Sequence, residues 1–330
     1  MKRKIICGIV LLGMLLWSVS GCSSRQKTVT GETDQNGQIV KEPKGYFRVL
    51  IAGEDRVSGL SDVWMLVSWN RDTDEVWVLQ LPRDTYAAYA EQSYQKLNGA
   101  PLALGGMEQT AEFLSESLGI SIDHYAALSP DVFCRAVDAL GGVEIFLKQP
   151  LRYRDPAQGL IIDLEAGRHT LNGAQAEQFV RYRAGYARGD LDRMDAQKIF
   201  LSALFRTVCQ TKSPLKLCKL AVSLLGEMET DLSVMKTLSL LPELLRLDAD
   251  AVHFVTAPGM DATATVSGAS YYVLSRDGMS RLLVERFGAE GDGFDPNGVF
   301  LHPKYEHFQA IYHSDLAYEA VSASEKQKED

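Results

Sequence analysis

The sequence predicts an α/β protein, a central mixed β-sheet flanked by helices in α/β/α layers. Two observations predict it. Residues 47–52 and 63–69 are β-branched and aromatic runs, and 75–81 alternates apolar with polar side chains, so all three read as strands. Runs with helical spacing then interleave with further strand-like stretches at 143–147 and 252–256, the pattern that lays helices against a shared sheet.

Taken in order, Asn70-Arg71-Asp72-Thr73-Asp74 joins the second and third strands with turn-forming residues, which makes that pair a hairpin. The spacing predicts a helix over 107–118 that stops at Gly119, and another over 130–140 that stops at Gly141-Gly142. Further helices are predicted over 174–179, 193–208, 214–225, 235–245 and 275–287.

The ends of the chain read differently. Lys2, Arg3 and Lys4 precede an apolar run over 5–17, followed by the small residues Ser18-Val19-Ser20-Gly21 and Cys22. A bilayer span needs about 20 apolar residues, so residues 1–21 read as an export signal. Val19-Ser20-Gly21-Cys22 resembles the lipobox of bacterial lipoproteins, which makes Cys22 the expected lipidation site and first residue of the mature chain. Residues 22–45 are rich in Ser, Thr, Gly, Gln and charge, the composition of a flexible tether. The protein is therefore expected on the extracytoplasmic face of the cell membrane, held by a lipid anchor. Residues 46–288 have the length and alternation of one domain. Residues 289–330 form an extension expected to be partly disordered, with order only around 299–318.

Removing Lys2, Arg3 and Lys4 takes the formal charge from −9 to −12. Such an acidic chain, with no helix-turn-helix pattern, is not expected to bind nucleic acid. Cys134, Cys209 and Cys218 show no zinc-ligand spacing. They read as buried thiols, with a Cys209–Cys218 bridge left open.

Against this acidic background, arginines and acids gather in short patches. Asp55-Arg56 follows the first strand and Ser61-Asp62 precedes the second, so Asp55 and Asp62 sit at neighbouring strand ends, and two carboxylates are what Mg²⁺ takes from protein. Pro82 ends the third strand, and Arg83 then projects beside them with Asp84 following. Arg181-x-Arg183 aims both guanidinium groups one way if that segment is extended. Arg193 and Gln197 share a face if theirs is helical. Arginine is a planar, permanently charged fork, so this set points to a diphosphate or a similarly dense anion. Taken singly, each patch also reads as a solvated loop or a surface ion pair.

The ordered series Val49-Leu50-Ile51-Ala52-Gly53-Glu54-Asp55-Arg56, Ser61-Asp62, Leu81-Pro82-Arg83-Asp84-Thr85, Lys96-Leu97-Asn98-Gly99-Ala100, Gly105-Gly106, Asp138-Ala139-Leu140-Gly141-Gly142-Val143, Leu171-Asn172-Gly173, Arg181-Tyr182-Arg183 and Gly189-Asp190-Leu191-Asp192-Arg193 resembles the LytR-CpsA-Psr (LCP) family of cell-envelope phosphotransferases. The resemblance implies transfer of a glycopolymer, such as teichoic acid or capsule, from an undecaprenyl-pyrophosphate carrier to peptidoglycan. It implies Mg²⁺ (or Mn²⁺) at Asp55 and Asp62. It also implies pyrophosphate binding by Arg83, Arg181, Arg183, Arg193 and Gln197, with Asp62 or Asp84 helping to deprotonate the acceptor. Phosphoryl transfer depends on charge neutralisation and positioning, which suits such a residue set. Two departures stand out. Ala196-Gln197-Lys198 replaces the family's Arg-Gln-Gln run, and Asp192 replaces a usual glycine. Two alternatives stay open: a non-catalytic lipoprotein that binds polyprenyl phosphates or wall glycan, and a hydrolase that passes the same link to water.

Overall fold

Strand β1 (Tyr46–Glu54), β2 (Ser61–Asn70) and β3 (Glu75–Leu81) open the fold as an antiparallel meander. The computed structural model describes residues 45–55, 59–89, 95–155, 160–182, 190–211, 213–264, 268–290, 318 and 320–322; for 155, 160 and 190–194 it describes the backbone alone. The β2–β3 turn forms where the sequence places it. The Asn70 side-chain carbonyl accepts from the Asp72 and Thr73 amides at 3.0 and 3.3 Å, and Asp74 takes the left-handed conformation at φ 60°.

Helix α1 (Ala100–Leu104) and α2 (Met107–Leu118) follow, the latter ended by Gly119 at φ 63°. Strand β4 (His124–Leu128) then joins the sheet parallel to β1. Ser129 caps α3 (Pro130–Leu140), its hydroxyl accepting from the Val132 amide. Next come β5 (Val143–Leu147), β6 (Leu151–Asp155), β7 (Leu160–Leu164) and β8 (Gly167–Leu171), paired as two small ladders, β5 with β8 and β6 with β7. An Asn172/Gln175 capping box starts α4 (Gly173–Arg181). Gly173 is needed there, because a Cβ would lie 2.3 Å from the Cys134 carbonyl oxygen. The chain continues through α5 (Asp190–Gln210), α6 (Pro214–Leu225), β9 (Glu229–Thr230), α7 (Val234–Leu244), β10 (Val252–Thr256), the hairpin β11 (Gly259–Thr263) and β12 (Ser270–Leu274), α8 (Arg276–Phe287) and β13 (Ala320–Ser322).

The central sheet runs β13-β10-β3-β2-β1-β4-β9. It is mixed, since β4 and β10 lie parallel to their inner neighbours while the other pairs are antiparallel. One face is sealed. Leu50, Ala52, Trp64, Leu66, Leu79 and Leu81 are fully buried against α2 and α8, which contribute Leu114, Leu118, Met279, Leu282 and Phe287. On the other face, Leu201, Phe205 and Leu240 from α5 and α7 pack near Trp69, Val76, Val78 and Phe254. Helices on both faces give the α/β/α layering that the sequence predicts. A separate cluster joins Val143, Ile145 and Leu171 to Phe179 and Phe200. Residues Lys44–Asp330 are a compact unit that contains all of these clusters, so this unit has its own core to fold around.

Arg48 locks α8 to the sheet. Buried, it donates to the Phe287 carbonyl at 2.6 Å and to the Ser121 hydroxyl at 3.0 Å, and desolvation lowers its pKa from the ordinary arginine value.

Some expectations change. The sequence expects order in the extension only around 299–318, yet β13 lies just beyond, at Ala320–Ser322, where β10 offers an open edge to pair with. Cys134, Cys209 and Cys218 are free thiols and half-buried rather than buried. The signal and tether expected over 1–45, including Cys22, lie outside the described residues except for residue 45. Among the described residues no helix is long and apolar enough to cross a membrane.

Candidate functional site

The charged residues singled out around the first three strands meet at one end of the sheet. Asp55 and Asp62 flank the loop between β1 and β2, whose ends are drawn together by a 2.8 Å bond from the Asp55 amide to the Leu60 carbonyl. The ladder is irregular here, with Glu54 opposite Ser61 after Gly53 opposite Val63. Strand β2 begins at Ser61, so Asp62 belongs to the strand and not to the loop before it.

Arg83 leaves the end of β3 and reaches Asp62, Nη1 to Oδ1, at 2.6 Å. Its Nε lies 3.6 Å from Asp84 Oδ2, and Lys96 Nζ donates to Asp84 Oδ1 at 2.8 Å. Asp62, Arg83, Asp84 and Lys96 thus form an alternating chain of charges, all partly open to solvent. The backbone beneath is pinned on both sides. The Asn98 amide donates to the Arg83 carbonyl at 3.0 Å, and the Tyr272 amide to the Asp84 carbonyl at 2.9 Å. Thr85 closes the turn through its amide and hydroxyl to the Pro82 carbonyl. An exposed ion pair adds little stability. A fixed guanidinium with charge on either side is instead preorganised to meet an anion.

The helical contributors behave differently. Arg181 is the last residue of α4, not part of an extended segment, so the condition for its pointing with Arg183 is not met. It donates to Glu177 at 3.2 Å, one helical turn back. Arg183 lies outside the described residues. Arg193 and Gln197 do fall one turn apart on α5, with the Arg193 side chain not described. Gln197 is buried and its amide is used internally. It accepts from Gln80 Nε2 at 2.8 Å and donates to the Val180 carbonyl at 3.2 Å. The sequence reads Gln197 as a ligand of the anion; here it ties β3, three residues before Arg83, to the residue preceding Arg181.

Sequence reasoning missed Lys96 as a site residue. Its signal was weak, a single lysine before Leu97-Asn98-Gly99, and only the fold returns that stretch alongside Asp84. It also missed the support from Tyr272, whose hydroxyl donates to the Ala257 carbonyl at 2.9 Å. Burial, and then nearby Asp261, push the Tyr272 pKa well up.

Next to these charges, the α5 face of the sheet stays half open over β1 and β2. Phe47, Val49, Ile51, Val63, Met65 and Val67 are only partly buried, and Ile51 stands opposite Met65 at the centre. An apolar stripe of this kind, starting at the strand ends that carry Asp62 and Arg83, suits an amphiphile with an anionic head.

Among the described residues there is no group of three or more His, Cys, Asp or Glu able to hold a metal. Asp55 and Asp62 bracket the β1–β2 loop and supply two carboxylates, the donor type that Mg²⁺ takes from protein, with Asp62 Oδ1 paired to Arg83.

Fold and site together define an α/β domain with a charged cluster at its strand ends beside a half-open apolar sheet face. The chain belongs to the LytR_cpsA_psr family, whose model matches residues 16–286. It is 29% identical over 260 residues to the polyisoprenyl-teichoic acid–peptidoglycan teichoic acid transferase TagU of Oceanobacillus iheyensis, covering 76% of this chain and 78% of that one. A TagU of Enterococcus faecalis is 30% identical over 246 residues, covering 69% and 78%. The crystal structure of B. subtilis TagV shares the fold, with a TM-score of 0.64 at 24% identity over 75% of this chain and 99% of that one.

Proposed function

We propose that this protein transfers a glycopolymer from an undecaprenyl-pyrophosphate carrier to peptidoglycan, aided by Mg²⁺ or Mn²⁺ held at Asp55 and Asp62. The observation that carries this reading is the alternating chain Asp62–Arg83–Asp84–Lys96 at the end of a half-open apolar sheet face. One holds a pyrophosphate, the other its polyprenyl stem. The names of the relatives support the same substrate class.

The chemistry follows from the residues. Arg83 is oriented by Asp62 and Asp84 and brings its positive charge to the pyrophosphate oxygens. Lys96, held by Asp84, adds a second cation beside the first. Arg181, Arg183 and Arg193 complete the cradle from the helical side, with Gln197 setting the distance between the two sides. The divalent ion, when bound, supplies further charge neutralisation on the phosphate oxygens. A peptidoglycan hydroxyl attacks the sugar-side phosphorus, its proton passing to Asp62 or Asp84, and the bond to the distal phosphate breaks. The products are a glycan–phosphodiester–peptidoglycan and undecaprenyl phosphate. The lipidated Cys22 would keep the domain on the extracytoplasmic face of the membrane, where carrier and wall are both within reach.

The test uses residues 44–330 with a lipid-linked pyrophosphoryl glycan, a peptidoglycan oligomer and Mg²⁺, with products followed by mass spectrometry. Glycan phosphate joined to peptidoglycan, lost in Arg83→Ala and Asp62→Ala and on chelation, is the expected result. Glycan phosphate released to water would make the protein a hydrolase. Tight donor binding without turnover, unchanged in Asp62→Ala, would make it a binding lipoprotein.

A further inference from the structure

Helices α6 and α7 are apolar yet poorly buried. No residue of α6 is buried, and in α7 only Leu240 is. Leu215 and Met235 are 65% and 66% exposed, with Val222 at 47% and Val234 at 37%. On α6, Leu215, Lys219 and Val222 are spaced four and three residues apart and so lie along one exposed stripe. Exposed apolar residues in a contiguous set mark an interaction surface more often than chance.

The charge of this region is the second observation. From residue 196 to 226 the sequence contains Lys198, Arg206, Lys212, Lys216 and Lys219 and no acidic residue, in a chain of formal charge −9. Lys198 is paired with Asp195 and Lys216 donates to the Leu140 carbonyl. Lys219 stands on the exposed stripe between Leu215 and Val222. An acidic protein that reserves an acid-free segment for its most exposed apolar helix has a local surface matched to a negatively charged partner with an apolar interior.

We propose that α6, with the amino-terminal end of α7, is a docking surface for an anionic lipid bilayer. Leu215 and Val222 enter the headgroup boundary, joined by Met235 and Val234, while Lys219 meets the lipid phosphates. The placement has a consequence for the open sheet face. Leu240 of α7 packs in the cluster that underlies that face, and Lys236 Nζ lies 5.5 Å from the centre of the Phe47 ring. A bilayer held against this helix pair is therefore close to the half-open apolar stripe of β1 and β2. The surface is distinct from a lipid anchor at Cys22 and does not depend on it. The inference also stands apart from the transferase reading, since it concerns the membrane and not the reaction.

Co-sedimentation of residues 44–330 with vesicles is the test, comparing phosphatidylcholine alone with phosphatidylcholine plus phosphatidylglycerol. Binding is expected to the anionic vesicles. Lys219→Glu is expected to weaken it by about tenfold or more, given that one lysine near such a surface is worth roughly fivefold and the change reverses a charge. Leu215→Ser with Val222→Ser should weaken it further. Lys148→Glu, an equal change in net charge at an exposed position between β5 and β6, should leave it unaltered. Far-UV circular dichroism and Tm confirm that each variant is folded. No binding by the wild type, or equal losses in Lys219→Glu and Lys148→Glu, would overturn the proposal. Transfer from a detergent-solubilised donor, measured on the same variants, separates the two readings: a Lys219→Glu protein that transfers normally but no longer sediments leaves the function intact and locates the docking surface.

Discussion

The two faces of the central sheet are made by the same strands, yet one is closed and the other is not. Trp64 and Leu66 point to the side packed by α2 and α8 and are fully buried, whereas Val63, Met65 and Val67, one residue away in each case, remain half open. Alternation in a strand sends neighbours to opposite faces. The second face is closed over β3 and β10, where Val76, Val78 and Phe254 are buried, and half open only over β1 and β2, so the residues of that stripe carry less of the domain's stability. The charged strand ends sit where the open face begins, so in the proposed function headgroup and stem would be met by one set of strands.

This contrast predicts unequal costs for adjacent residues. Leu66→Ala should destabilise by about 2–5 kcal/mol, as removal of a buried leucine does, while Met65→Ala should cost less than half as much in the same denaturant titration. Equal losses would mean that the second face is also closed core.

Arg83→Ala sharpens the comparison from the other side. It touches neither face, so Tm should hardly move, while transfer should fall about 100- to 1000-fold, the range for losing one preorganised electrostatic donor. A smaller and intermediate effect is expected for Gln197→Leu, which leaves the buried Gln80 amide without its acceptor and should cost about 1–3 kcal/mol. If Gln197 positions the arginine segments, donor KM rises in this variant too; a loss of stability with unchanged KM would make it structural only.

The smallest effect concerns Tyr272, on the sealed face. Its pKa is raised in the folded state by burial and then by Asp261. The stability linked to this group is therefore complete below the unfolded tyrosine value, about 10, and is lost as pH rises through the folded one. The Tm of the wild type should fall above pH 10, and Tyr272→Phe should flatten that fall while losing about 1 kcal/mol at neutral pH with the bond to Ala257.

The elements that the sequence reveals are those with strong local signals. Residues 75–81, 107–118, 130–140, 143–147, 214–225 and 252–256 agree with their observed bounds because alternation, caps and glycine stops coincide there. Strand β4 was not legible, since His124-Tyr125-Ala126-Ala127-Leu128 carries no β-branched residue and owes its conformation to pairing with β1. The ladder β6–β7 has mixed polarity that hides its alternation, and β9 is two residues long and depends on β4, distant in sequence. The site was legible as a list of residue types but not as a geometry. Nothing in the spacing shows that Arg83 chooses Asp62, that Lys96 returns to Asp84, or that Gln197 is turned inward to Gln80. These contacts arise from chain crossings that local pattern does not encode.

In the proposed function the open sheet face seats the polyprenyl stem, and Met65→Trp tests that most directly. The substitution fills the centre of the stripe, opposite Ile51, without altering the charged strand ends. Equilibrium binding of a polyprenyl pyrophosphate to residues 44–330 should weaken about tenfold or more, with Tm held or raised by the added apolar burial. Unchanged affinity in a folded Met65→Trp protein would place the stem elsewhere and leave the open face without this role.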